Sequence, residues 1–345
     1  MSLFIETLKG NRSDETPIWL MRQAGRYLPE YRALREKSSM LQMVQTPELA
    51  CEVTLQPLRR FPLDAGIIFA DILTPLIGMG VNLDFKKGEG PVIDNPIRTL
   101  GDISRLRVPS PEENVQYTLD AIKLVVKELN GKTPLIGFSG APFTLSSYLI
   151  EGKSPGDSDL RYTKALMVSH PEAWHELQEK LVTLCVEYLV AQVEAGCESL
   201  QIFDSWLGYV GPREYDQFVE PYLQKILKQV KERVDVPVVF FATSVSSLFP
   251  RLGKLPADAF GVDWRISLRD AAALIGRSVP LQGNLDPQLL ATATSWPYIE
   301  RSARAILDDG RELPAHIFNL GHGVLQYTPV ENVQRLIELV KAHRR

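Results

Sequence analysis

Cysteine is scarce in this chain of 345 residues, and the three present, Cys51, Cys185 and Cys197, form no C-x-x-C pair. An odd number at such distances is a poor disulfide framework, so they read as buried thiols. No His-x-Cys occurs: none of His170, His175, His316, His322 and His343 stands two residues before a cysteine. Long apolar runs are missing, since no stretch reaches the roughly 18–20 residues that span a membrane. The opening MSLFIETLKGNRSDE likewise lacks a basic start followed by an apolar run. These absences set the expectation of a cytoplasmic protein with no membrane partner. A formal net charge of -4 argues against nucleic acid as a partner. No Gly-x-Gly-x-x-Gly follows the first apolar run, which speaks against an open dinucleotide-binding sheet.

What is present fills a large core, with 45% hydrophobic and 23% charged residues. Eight short apolar, β-branched runs read as strands: Ile18–Met21, Ala65–Ala70, Leu135–Phe138, Leu200–Phe203, Val238–Phe241, Phe260–Trp264, Pro280–Gly283 and Ile317–Leu320. Amphipathic stretches separate most of them. In the last, Val330, Val333, Leu336, Ile337 and Val340 share one helix face. A proline after a cap-like residue marks helix starts at Thr46-Pro47, Ser110-Pro111, Gly211-Pro212, Asp286-Pro287 and Thr328-Pro329. Eight βα units favour an α/β fold, a single-domain (β/α)8 TIM barrel over residues 1–345. Between Asp71 and Leu135, the segment Val81–Phe85, the turn through Gly88-Glu89-Gly90 and the run Pro91–Ile93 read as an inserted hairpin after strand 2, followed by a helix near Glu112–Glu128. The segment Glu151–Asp159 reads as an ordered loop, with a lid as the alternative.

The polar residues favour one end of such a barrel. Arg22, Asp71, Ser139, Asp204, Ser205, Thr243, Asn284 and His322 fall at the C-terminal ends of the expected strands, the face that carries active sites. In PIWLMRQAGRYLPEYR, Arg22 follows the first strand without a spacer and Gln23-Ala24-Gly25 turns the chain to bring Arg26 back. Two guanidinium forks, with that of Arg32 in the same run as a candidate third, suit paired carboxylates or phosphates better than lysines do. Surface ion pairing is the alternative use of such arginines. Asp71, in the apolar IIFADILTP, needs donors, and these come either from a barrel arginine or from a ligand.

The run WLMRQAGRYLPEYR resembles the N-terminal signature of the uroporphyrinogen decarboxylase family. GFSGAPFTLSSYLIEG (137–152), IFDSW (202–206) and NLGHG (319–323) are similar to further family stretches in the same order. The resemblance implies decarboxylation of the four acetate arms of uroporphyrinogen to give coproporphyrinogen, without a cofactor or metal, in a cytoplasmic homodimer. It implies Asp71, Arg22 and Tyr148 as catalytic residues. Asp71 accepts the pyrrole N–H groups and faces the cationic intermediate, and Arg22 is the proposed proton donor. Against that acid role stands an arginine pKa above about 12, which leaves ordered water as a competitor. The same resemblance implies substrate binding by Arg22, Gln23, Ala24, Gly25, Arg26, Asp71, Tyr148, Ser205 and His322. Read without it, Tyr148 is a half-buried core tyrosine and Ser205 a helix cap. Glu89 departs from relatives with a basic residue in that turn, so no substrate contact is carried over to it. Three competing readings are a zinc- and corrinoid-dependent methyltransferase, which needs the missing His-x-Cys, a phosphate-binding barrel isomerase, and a tetrapyrrole carrier without activity.

Overall fold

The computed structural model describes residues 2–86, 90–154, 159–292 and 296–344. Seven parallel strands form one sheet in the order β1, β4, β5, β6, β7, β8, β9. They are β1 (Gly66–Ile67), β4 (Leu135–Gly140), β5 (Ser199–Asp204), β6 (Val238–Ala242), β7 (Ala259–Gly261), β8 (Leu281–Leu285) and β9 (His316–Leu320). β2 (Leu83–Lys86) and β3 (Gly90–Ile93) pair antiparallel in a separate ribbon. The turn of the expected hairpin, with Glu89, lies outside the described residues, as does the middle of Glu151–Asp159.

The sheet is curled. Gln282 on β8 donates through Nε2 to Gln201 Oε1 on β5 at 3.1 Å, although β6 and β7 separate these strands. Gln282 Oε1 in turn accepts from Trp19 Nε1 at 2.8 Å. Around this polar chain pack Trp19, Phe138, Phe203, Phe241 and Ile317, an apolar filling inside the curl. Two further clusters fill the space between the sheet and the outer helices.

Three expected strands are shorter than read, one of them Phe260–Trp264, of which β7 keeps Phe260 and Gly261. Ile18–Met21 makes one parallel bridge, Ile18 to Phe318, and is otherwise irregular. The physical reason lies in its N–H groups, which bond to side chains: Ile18 to Asp64 Oδ2 (2.7 Å), Leu20 to Gln23 Oε1 (3.1 Å) and Met21 to Asn319 Oδ1 (2.9 Å). The stretch still lies between the two sheet edges, because Phe318 N donates to the Pro17 carbonyl (2.8 Å) and Asp64 N to that of Ile18 (2.9 Å). Ala65–Ala70 shrinks to β1, where Phe69 N turns to Thr54 Oγ1 at 2.9 Å. The helix expected near Glu112–Glu128 is two helices, Pro111–Asn114 and Gln116–Leu129, interrupted at Val115. Pro329 caps the last helix, Val330–Ala342, instead of starting it. All three cysteines are free and buried. Among the described residues no helix is long and apolar enough to cross a membrane.

Candidate active site

The loop after the Ile18–Met21 stretch turns tightly at Arg22, whose φ of 58° lies in the left-handed region. Three neighbours hold it. Gln23 is buried, with its Nε2 donating to the Ala65 carbonyl at 3.2 Å and its own carbonyl accepting from Tyr27 Oη at 2.8 Å. Val324 N donates to the Met21 carbonyl at 2.8 Å. Gly323 leaves room for the Arg22 stem, since a Cβ there would collide with Arg22 Cβ, Cγ and Cδ. The glycine after His322 therefore serves the packing of an arginine.

Arg22 and Arg26 are both exposed at this loop. Among the described residues, neither has a carboxylate within the 4.0 Å of an ion pair. Arg26 donates only to Gln326 Oε1, at 3.1 Å. Surface ion pairing, the alternative open from sequence, is thus not how they are used. Arg32 is no part of the cluster: its Nη1 donates to the carbonyls of Arg26 and Tyr27, each at 2.9 Å, and stiffens the loop.

Asp71 lies beyond β1, at the turn into a short 3₁₀ helix, Thr74–Met79. Its Oδ1 accepts from Leu73 N at 2.8 Å. Oδ2 has no protein partner among the described residues. Burial raises the Asp71 pKa, while the Leu73 N–H and the Arg22 charge pull it down. Tyr148 projects from the helix Pro142–Glu151 after β4, half-buried, its ring edge-to-face with Trp206 at 6.0 Å. Burial pushes its hydroxyl up to about 12, helped by the Asp71 charge and opposed by Arg22. The phenol is protonated at neutral pH. His322, after β9, is brought down to about 4 by burial and by the charges of Arg22 and Arg265, against the pull of Asp263. Its imidazole is neutral at pH 7. Arg22, Asp71, Tyr148 and His322 therefore share one field.

The other expected residues divide. Ala24 and Gly25 form the half-buried turn of the arginine loop. Gln23 faces inward, so its side chain is unavailable to a ligand. Ser205 is half-buried after β5 and caps no helix, since the short helix there begins from Trp206. Its carbonyl accepts from Thr243 Oγ1 at 2.8 Å, which ties the ends of β5 and β6 together. Ser139 bonds to its neighbour's carbonyl, and Asn284 Nδ2 donates to the carbonyls of Asp263 (2.8 Å) and Ile266 (2.7 Å). Asp204 lies fully buried behind the face, accepts from Thr144 Oγ1 at 2.6 Å, and leaves Oδ2 without a partner. Burial pushes its carboxyl up to about 7. Thr144 Oγ1 also accepts from Trp206 N at 3.2 Å, which links the Tyr148 helix to the loop that carries Ser205.

One group was missed because strand and loop were read as a single run, Phe260–Trp264. β7 ends at Gly261, and Asp263, Trp264 and Arg265 belong to the loop. The signal in the sequence was an acid and a base two residues apart after an apolar run. Among the described residues, no three His, Cys, Asp or Glu side chains gather in a way that could hold a metal ion.

A family model described as uroporphyrinogen decarboxylase matches residues 1–343. The curated uroporphyrinogen decarboxylase of Roseiflexus sp. (strain RS-1) is 49% identical over 343 residues, covering 98% of this chain and 97% of its own. That of Chloroflexus aggregans is 52% identical over 343 residues, with 99% and 95% covered. Among solved structures, a methyltransferase from Methanosarcina mazei superposes with a TM-score of 0.81 at 19% identity, covering 98% of this chain and 96% of its own. At that identity the likeness is one of fold.

Proposed function

The chain belongs to the uroporphyrinogen decarboxylase family, and from that premise we propose that it removes the carboxyl groups of the four acetate arms of uroporphyrinogen to give coproporphyrinogen in tetrapyrrole biosynthesis. The observation that carries this reading is that, among the described residues, Arg22 and Arg26 have no carboxylate partner and Asp71, which lies in the field of Arg22, keeps Oδ2 without a partner. Cations without anions and an acceptor without donors match a substrate rich in both carboxylates and pyrrole N–H groups.

In this reading Arg22 and Arg26 hold carboxylates of the substrate. Asp71 Oδ2 accepts pyrrole N–H groups and faces the charge that forms when the ring is protonated next to an acetate. The protonated pyrrole accepts the electron pair left by carbon dioxide, so the substrate provides its own electron sink. A proton delivered by Arg22 or by water at the open mouth then replaces the lost carboxyl on the exocyclic carbon, and departure of the proton first added to the ring restores the neutral pyrrole. An ionised carboxylate fixed beside a developing cation stabilises it without reorganisation. Tyr148, a protonated phenol near Asp71, donates and orients, and Ser205 and neutral His322 contribute hydrogen bonds. The Ile18–Met21 stretch, bonded to both sheet edges, supports a closed (β/α)8 barrel as one domain. We read the protein as a cytoplasmic homodimer.

Anaerobic incubation with uroporphyrinogen tests the function. The expected result is stepwise loss of four carboxyl groups, unchanged after exhaustive chelation. Intact uroporphyrinogen at the end would refute the activity, and a loss restored by one specific metal would refute cofactor independence.

A further inference from the structure

We propose that Arg265 forms a second carboxylate-binding point at the rim of the cleft, one that holds an arm of the macrocycle retained through the reaction; this rests on the functional reading above. Three features set Arg265 apart from an ordinary surface arginine. Its planar group lies 3.9 Å from the centre of the Trp264 ring, and Nη1 donates to Asp263 Oδ2 at 2.7 Å, so its orientation is fixed before any ligand arrives. Asp263, only 3% exposed, is already satisfied by the N–H groups of Ser244 (2.6 Å) and Arg265 (3.0 Å). The acid therefore acts as a bracket and leaves part of the fork unused. Nε and Nη2 have no protein acceptor among the described residues, and the side chain is 45% exposed. One nitrogen anchored and two donors open is the geometry of a carboxylate receptor.

Its position follows from the packing of three loops. Gly321 presses on the backbone of Asp263 and Trp264, so closely that a Cβ would collide with Trp264 N, and Gly323 presses on Arg22. The chain Arg22, Gly323, His322, Gly321, Trp264, Arg265 thus runs along one edge of the cleft. The Gly321–Gly323 loop thus stands between Arg265 and Arg22, and both arginines bear on the charge state of His322 within it. An arm held by Arg265 is therefore a different one from the arm held by Arg22. The arm assigned to it is a propionate, which substrate and product share.

The test compares Arg265→Gln, Arg265→Lys and Arg269→Gln. The last removes the same charge from a surface pair with Glu312, 2.9 Å away. For each variant, uroporphyrinogen turnover gives KM and kcat, and quenching of tryptophan fluorescence under anaerobic conditions gives the Kd of coproporphyrinogen. Arg265→Gln should raise KM and the product Kd by a similar factor, roughly three- to thirtyfold, with kcat within about twofold. Lysine should recover part of the loss and Arg269→Gln should match wild type. Unchanged constants in Arg265→Gln would overturn the assignment. So would a raised KM with an unchanged product Kd, which would mean an acetate contact, or an equal effect of Arg269→Gln, which would mean a general field. A loss confined to kcat and melting temperature would reduce Arg265 to a structural part. If wild type leaves uroporphyrinogen intact, the functional reading fails by itself, and the product Kd still decides Arg265.

Discussion

On the outer helices each of several arginines holds an acid: Arg60 grips Glu30 through Nε and Nη2 (2.8 and 3.0 Å), Arg251 grips Asp216 (2.6 and 3.0 Å), and Arg304 grips Glu300. At the strand-end face Arg22 meets no carboxylate at ion-pair distance among the described residues, and Arg26 donates to the Gln326 amide oxygen. The residue type is the same and the exposure similar. What differs is compensation, and it is this lack of an acid beside Arg22 and Arg26 among the described residues that supports the proposal that they hold carboxylates of a substrate. The same contrast separates two carboxylates. Asp204 is enclosed behind the face, whereas Asp71 keeps one oxygen open beside Arg22.

The largest effect tests the open acceptor. Asp71→Asn removes the charge while keeping the shape, and turnover should fall on the order of 10³-fold. Asp71→Glu keeps the charge and misplaces it by about 1 Å, so a loss nearer 10²-fold is expected. Melting temperatures serve as the control, and a folded Asp71→Asn enzyme with near-normal turnover would make the two carboxylates alike. The enclosed acid should behave oppositely. A folded-state pKa of about 7 for Asp204, above its unfolded value near 4, means that the native state holds the extra proton between those pH values. Stability is then lost as pH rises from about 4 through 7. Asp204→Asn keeps the acceptor for Thr144 and should stabilise the protein at pH 8, by at most about 4 kcal/mol, with no gain below pH 4. Thermal melts across that range decide, and a gain independent of pH would contradict it. The smallest effect compares two arginines directly. Arg26→Lys keeps the charge and loses the fork, so substrate binding should weaken about tenfold. Arg251→Gln should leave both kinetics and melting temperature close to wild type, as expected for an exposed ion pair. Equal kinetic effects in both would erase the distinction between the surfaces.

From β4 onward most of the sheet was legible, because those strands are continuous apolar runs: Leu135–Phe138 lies within β4, Leu200–Phe203 within β5 and Ile317–Leu320 within β9. The first two runs look the same on paper and differ in the fold. Their backbone donors are taken by Asp64, Gln23, Asn319 and Thr54 side chains, and the Asn319 bond to Met21 spans 298 positions. No local pattern announces such a bond. The residues of the proposed site were named from sequence where a motif carried them, and of these the structure brings Arg22, Asp71, Tyr148 and His322 into one field, with Arg26 on the same loop as Arg22. The register of polar residues at strand ends said less, since Thr243 and Asn284 serve as ties between loops and Ser139 bonds to the carbonyl of the next residue.

The meshing of the Arg22 stem with Gly323 also sets an order of events during synthesis. The Ile18–Met21 stretch emerges from the ribosome early, apolar and with unmet N–H groups. Its partners Phe318, Asn319, Gly323 and Val324 come far later, the Met21–Asn319 bond spanning 298 positions. Folding that proceeds from the N-terminus meets here a segment that must wait for the far end of the chain. No nascent chain that stops short of Gly323 can pack the Arg22 stem as it is packed here, so the loop that carries both arginines takes its final form only once β9 and the loop after it have been made.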